Sequence, residues 1–423
     1  MYFKISMALT HRQKKRTDIF MNQIKTPDRK PDSIQLRIRE LKPELIALRR
    51  HFHMYPELGF QEFETAKKIE SYLHDLGFDT QRVAKTGVVA LLDSGRPGPV
   101  LMLRSDMDAL PITEVSEKDY KSKNQGVMHA CGHDSHMAML LVAARVLKEN
   151  QASLTGKIKF VFQPNEEVAG AIKMVEQGVL ENPNVSRVMG IHVWSQIPSG
   201  RVSISPGVVM GGLDVFNVRV KGKGGHTGYP HEAIDPVVAA SSIIQTVQTI
   251  QTREMDAQKP TIIMFGKLQA GVKANIIPEE VCMEGTIRFL HTAAPDSQDN
   301  PTQKFIRICQ GICQVHHCTC EIEIVHENIP LVNDEKMAAL AKQTAVQVFG
   351  SPDRIESGKY IASEDFSEFS SRVPGVFIFL GCASKEKKTD FPQHNPRFDI
   401  DEDVLGKGVE LHVKGALEFL KER

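Results

Sequence analysis

The apolar positions along this chain change period several times, and the changes mark out its elements. "PELIALRRHFHM" and "EFETAKKIESYLHDLGF" repeat apolar residues every three or four positions, which predicts two amphipathic helices, the second stopped by Gly77. "GVVALL" and "PVLMLRSD" are short continuous apolar runs, read as buried strands. "SHMAMLLVAARVLKEN" returns to the helical period; "KIKFVFQ" and "VMGIHVW" are strands again, with "AGAIKMVEQGVL" between them. Buried strands alternating with helices predict an α/β unit with a mainly parallel sheet.

Near Leu213 the pattern changes. "DVFNVRVKG" alternates apolar and polar residues, as a half-exposed strand does. "IDPVVAASSIIQTVQTIQT" predicts a helix with Asp235 as N-cap and Pro236 at its first position. Strands at "PTIIMFGKLQ" and "EEVCMEGTIRFL", a helix around 301–314 and a strand at "TCEIEIVHE" follow. The order β-α-β-β-α-β predicts a ferredoxin-like module. It reads as inserted, because the α/β pattern resumes at "EKMAALAKQTAVQVFG", "GVFIFLG" and "VLGKGVELHVKGALEFLKE". The expected organisation is a basic, disordered tail over 1–34, one domain from 35–212 with 329–423, and an inserted domain over 213–328.

Composition narrows the class. Of 423 residues, 41% are hydrophobic and 25% charged, as in globular proteins, and the length suits two cores. The formal net charge is zero, so nothing overall calls for nucleic acid. The first thirty residues are rich in Lys and Arg against only Asp18 and Asp28, with no apolar core of a secretory signal. Met7 and Met21 leave a later start open. No apolar run reaches the length of a membrane span. The seven cysteines form no regular disulfide framework, and a reducing cytoplasm fits them. Cys309, Cys313, Cys318 and Cys320 read as buried apolar residues, with a zinc site involving His316 or His317 as the alternative.

Four places carry candidate chemistry. In "MHACGHDSH", Cys131 and His133 precede a helix, whose N-terminus favours a thiolate, and both are ligand types for borderline divalent metals. In "KIKFVFQPNEE", a strand ends in adjacent carboxylates, Glu166 and Glu167. Neighbouring carboxylates in a turn diverge, so one can bind a metal while the other handles a proton. His192 follows the apolar run of "VMGIHVW", and His394 sits in the Pro-bracketed "PQHNPRFDI". Each lies near a predicted strand end, where open α/β sheets place their sites. A cysteine hydrolase with Cys131 as nucleophile remains open on these residues alone.

Several motifs together resemble the M20 metallopeptidase superfamily. "RRHFHMYPELGFQEFET", "LRSDMDALPI", "MHACGHDSHMAML", "FQPNEE", "GGHTGYPHEAIDPV", "GVKANIIPEE", "GTIRF", "SEDFSEF" and "HNPRFDID" follow its order from about residue 35 to 422. The match is to its amidohydrolase branch, with hippurate hydrolases, N-acyl-amino-acid amidohydrolases and plant auxin-conjugate hydrolases. The resemblance implies two divalent metal ions per subunit (Mn, Zn, Co or Ni), held by Cys131, His133, Glu167, His192 and His394, the cysteine bridging. Glu166 would be the general base, and Asp106 and Asp108 would orient a ligand imidazole. The inserted module would be a lid and dimerisation domain. His226 would polarise the scissile carbonyl in a partner subunit's site, and Asn275 and Arg288 would bind the substrate carboxylate. A homodimer acting on an N-acyl amino acid, with no nucleic acid or membrane partner, is the implied assembly. A dipeptidase or carboxypeptidase on the same scaffold is the neighbouring reading.

Some positions depart from the family pattern. "PNEEVAGA" lacks glycines usual after the acids, which stiffens that turn, and Thr227, Gly228 and Tyr229 are unusual beside His226.

Overall fold

The computed structural model describes residues 31–294 and 297–421, so most of the basic N-terminal segment lies outside the described residues. A helix begins at Ser33, capped by Asp32, just inside the stretch expected to be tail.

An eight-stranded sheet runs in the order Thr80–Val83, Gly87–Asp93, Lys157–Gln163, Val100–Asp106, Arg187–Pro198, Gly375–Ala383, Val202–Ser203, Ile355–Glu356. Its centre is parallel: Val100–Asp106 pairs in parallel with Lys157–Gln163 and Arg187–Pro198, and Gly375–Ala383 with Arg187–Pro198. The mainly parallel sheet expected from sequence is therefore present around its middle. The Gly87–Asp93 side is antiparallel. There Ala84 and Lys85 both take positive φ, the signature of a tight hairpin turn, and a hairpin can only return antiparallel.

Helix His133–Glu149 lies almost wholly buried against this sheet, packed with Lys42–Met54 and the C-terminal helix Leu405–Lys421. Because the central strands run the same way, the segments after Asp106 and Gln163 emerge at one edge.

The second sheet takes all four strands from between Gly212 and Asn328, in the order Thr261–Ala270, Glu280–Phe289, Gly212–Lys221, Thr319–Asn328, all antiparallel. Helices Pro236–Thr246 and Pro301–Val315 cover one face around Phe216, Ile243 and Phe305. This is the expected ferredoxin-like arrangement. Asp235 caps its helix as expected, accepting from Val237 N at 2.8 Å. The chain enters and leaves this unit beside a short antiparallel pair, Gly207–Met210 with Leu331–Asn333. Cys309, Cys313 and Cys318 are buried in its apolar core, and all seven cysteines are free. Among the described residues, no helix is long and apolar enough to cross a membrane.

Candidate active site

Gly132 builds the first part of the site. Its φ is +94°, and a Cβ there would sit 2.3 Å from Val193 Cγ2, so only glycine fits. The kink places Cys131 in the loop and His133 at the first position of the buried helix. The pair is therefore not extended. Even so, Cys131 Sγ lies 3.5 Å from His192 Nε2.

The second part is the turn after strand Lys157–Gln163. Glu166–Val168 is a single 3-10 turn flanked by Asn165 and Ala169, both left-handed. Strained backbone of this kind needs outside anchoring. Asp108 supplies it: its carboxylate accepts from Glu166 N at 2.9 Å and Glu167 N at 3.1 Å. Glu62 accepts from Asn165 N at 3.0 Å. The two acids diverge only in part, since both offer an oxygen to a grouping with His133. Ligand atoms of Glu167 gather with those of Cys131 and His394, while Glu166 reaches towards Glu364 and Asp365.

His394 arrives on the last loop with φ +63°, its N–H bonded to Ala130 O at 2.8 Å. That bond joins its loop to the Cys131 loop, and His394 Nε2 stands 3.3 Å from Glu167 Oε1. His192 lies inside strand Arg187–Pro198 rather than beyond its end, because pairing with Gly375–Ala383 carries the strand onward.

Imidazole hydrogen bonds decide which nitrogens are available. His192 Nδ1 donates to Val193 O at 2.6 Å, which leaves the Nε2 lone pair on the Cys131 side. His133 Nδ1 donates to Asp108 O at 2.8 Å, and its Nε2 is buried without a partner. His136, the third histidine of the motif, is used up: Nδ1 bonds Asp106 Oδ1 at 2.6 Å, and Nε2 accepts from Val193 N at 2.8 Å. Asp106 thus holds His136 rather than a predicted ligand. Asp108 does hold a predicted ligand, through its carbonyl.

Charge around the acids is dense. Arg104 is fully buried and meets Asp106 at 2.7 Å, Glu364 at 2.9 Å and Asp365 at 3.1 Å. Burial, then the charges of Glu364, Glu167 and Asp365, push the Glu166 carboxyl well above the usual range. Burial and the same acidic surroundings hold the Cys131 thiol well above its ordinary value. The thiolate expected from the helix N-terminus is therefore overridden, and a free nucleophilic thiolate is disfavoured here.

His133 Nε2 and Glu167 Oε1 are both buried polar atoms without a hydrogen-bond partner. Orphaned donors of this kind, converging with a thiol and further imidazoles, fit divalent cations. The grouping Cys131–Glu167–His394 and the grouping His133–Glu166–Glu167 share Glu167. Cys309, Cys313 and Cys318 are buried in the apolar core with Cys320 packed partly against it, and among the described residues they form no ligand grouping of this kind.

The remaining predicted residues lie outside this cluster. His226 is exposed, with Nδ1 accepting from Gly228 N at 3.0 Å. It shares a groove of about 570 Å³ with Asn275, bordered by Val272 and Ile276. Arg288 is half-buried on the uncovered face of the four-stranded sheet and makes no ion pair among the described residues. Sequence reading gave no role to Arg104, Glu364, Asp365, His136 or Glu62. "SEDF" and "FQEFE" hold three of them, but their partners lie far away along the chain.

The profile of peptidase family M20/M25/M40 matches residues 102–418. Thermostable carboxypeptidase 1 of Saccharolobus solfataricus is 37% identical over 393 residues, spanning 90% of this chain and 97% of that protein. The N-acetyl-L-cysteine deacetylase of Bacillus subtilis is 38% identical over 393 residues, 92% of each chain. Among solved structures, Bacillus subtilis YxeP, a dinuclear metal binding peptidase of the M20 family, superposes with a TM-score of 0.79 at 31% identity, covering 91% of this chain and 100% of that one. The chain belongs to peptidase family M20/M25/M40, in its amidohydrolase branch, and is a hydrolase of amide bonds.

Proposed function

We propose that this enzyme hydrolyses N-acyl amino acids of the hippurate type to a carboxylic acid and a free amino acid. The observation that carries the reading is the pair of ligand groupings that share Glu167, one with Cys131 and His394 and one with His133 and Glu166. Two divalent ions per subunit, Mn, Zn, Co or Ni, would be held by Cys131, His133, Glu167, His192 and His394. Bound there, they supply Lewis acidity and make water a stronger acid.

Glu166 does the proton work. A carboxyl raised by burial and neighbouring charge accepts a proton from water readily and gives it up to the leaving amine nitrogen. Asp108 fixes the turn that aims it. His226, contributed by a second subunit, donates a hydrogen bond to the scissile carbonyl oxygen. Asn275 and Arg288 hold the substrate carboxylate, for which an unpaired guanidinium fork is suited. The functional unit is then a homodimer, and the free thiols suit a reducing cytoplasm.

Carboxypeptidase action is the second reading, favoured by the likeness to a thermostable carboxypeptidase. A side-by-side assay of N-benzoylglycine, N-acetyl amino acids, a blocked peptide and a free dipeptide, with Mn²⁺ or Zn²⁺ supplied, separates the two. Preferential cleavage of the N-acyl amino acids supports the proposal. Faster cleavage of peptides, or of nothing in the panel, contradicts it.

A further inference from the structure

Behind the ligand loops lies a buried charge network that the mechanism above does not use. Its centre is Arg49, on helix Lys42–Met54, with a fully buried side chain. Arg49 Nε forms an ion pair with Asp134 Oδ2 at 2.9 Å, one residue beyond His133, without a hydrogen-bond alignment. Its NH2 donates to Asp399 Oδ1 at 2.6 Å, on the loop that carries His394, and its NH1 is 3.3 Å from Glu402. One planar guanidinium therefore bridges two segments that each carry proposed ligands.

Both ends are braced. Asp134 also meets His53 Nδ1 at 2.7 Å, and its Oδ1 accepts from Ser135 N at 2.9 Å. Asp399 accepts from Tyr120 OH at 2.9 Å and from Ile400 N at 2.8 Å. Among the described residues, one other backbone bond joins these segments near the site, from His394 N to Ala130 O. The grouping Cys131–Glu167–His394 spans both segments. His133 and His192, by contrast, need nothing from the His394 loop.

We propose that Arg49 is a positioning residue that sets the spacing between the Cys131–His133 loop and the His394 loop, and so tunes one metal position selectively. The inference rests on the metal reading above. Lysine keeps the charge but replaces the rigid planar fork with one rotatable ammonium on a flexible stem, so it does not fix the spacing between Asp134 and Asp399. Loss of such outer support weakens metal binding by about 10–100-fold.

The test is titration of chelator-stripped, full-length protein with Mn²⁺, followed by electron paramagnetic resonance, and with Zn²⁺ against a chromophoric competitor. Wild type, Arg49→Lys, Asp399→Asn, the double variant and Arg50→Ala are compared. Arg50 pairs with Glu402 and stacks over the Tyr120 ring, but it forms no ion pair with Asp134 or Asp399 among the described residues, and it serves as control. The expected result is one position weakened about 10–100-fold in Arg49→Lys, the other within about threefold of wild type. Asp399→Asn should weaken the same position, and the double variant should be no worse than the weaker single one. Asp399→Asn carries the test alone if Arg49→Lys does not fold. Unchanged binding, or equal weakening at both positions, overturns the inference and leaves the metal site standing. Wild-type protein that binds neither ion overturns both.

Discussion

Two regions of this protein offer catalytic residue types in opposite ways. Beneath the parallel sheet edge, Cys131, His133, Glu166, Glu167 and His192 are held by a surrounding set of charges and backbone bonds: Asp108 under the glutamate turn, Asp106 under His136, Arg104 across to Glu364 and Asp365. In the four-stranded unit, His226 is exposed with a local hydrogen bond from Gly228 N, and Arg288 makes no ion pair among the described residues. The first region is organised before any ligand arrives, at the cost of burying many charges that must pair. The second leaves its polar groups uncommitted, as the proposed contacts with substrate and a second subunit require. The difference teaches that groups fixed by folding and groups left open to a ligand are kept in separate units.

Substitutions can break that contrast. Glu166→Gln should lower kcat by about 10²–10⁴-fold with metal content unchanged, since only proton transfer is lost. Steady-state kinetics beside metal analysis checks this. The same carboxyl sets a pH limit. It acts as a base only when ionised, and its environment raises its pKa above the ordinary 4.5, so activity should fall as pH drops through a value above 4.5. A pH profile of kcat/KM reads this directly; an acid limb at or below the ordinary value would contradict the environment described. His226→Ala should cost about 10²-fold in kcat while binding as much metal as wild type. Loss of metal in that variant would erase the distinction between the two regions. Arg288→Ala should raise KM by about 10–100-fold for carboxylate-bearing substrates with kcat nearly kept, the loss of a charged hydrogen bond.

The smallest effect concerns the strained turn. Ala169 adopts φ +53°, a left-handed conformation that suits glycine, at a turn where the family commonly places one. Ala169→Gly should therefore raise stability by about 1 kcal/mol in chemical denaturation. A destabilised variant would show that the turn is held by something other than its anchors.

Much of the fold was legible because period and punctuation agreed: Gly77 after its helix, Pro236 behind Asp235, and the β-α-β-β-α-β order of the inserted unit. The antiparallel edge was not, since it depends on a hairpin at Ala84 and Lys85, residues with no turn signal of their own. Candidate ligands were legible because each sits in a short motif beside a strand or helix end. Their supports were not. Asp106 was expected to steady a ligand imidazole but holds His136, three residues on, and the difference depends on ring orientation. The helix N-terminus suggests a thiolate at Cys131, whereas, from the protein groups alone, burial first, and then the charges of Glu167, Glu166 and Asp106, raise the thiol, and no local pattern announces those acids. Arg49 joins segments far apart in the chain, and no local pattern announces such a contact.

The most direct test of the account is the metal content of the purified protein, reloaded with Mn²⁺ or Zn²⁺, beside Cys131→Ala, with hydrolysis of N-benzoylglycine followed in both. The account predicts about two ions per chain, and loss of both binding and hydrolysis in the variant. Metal-free wild-type protein that still turns over substrate through a covalent acyl group on Cys131 would contradict it.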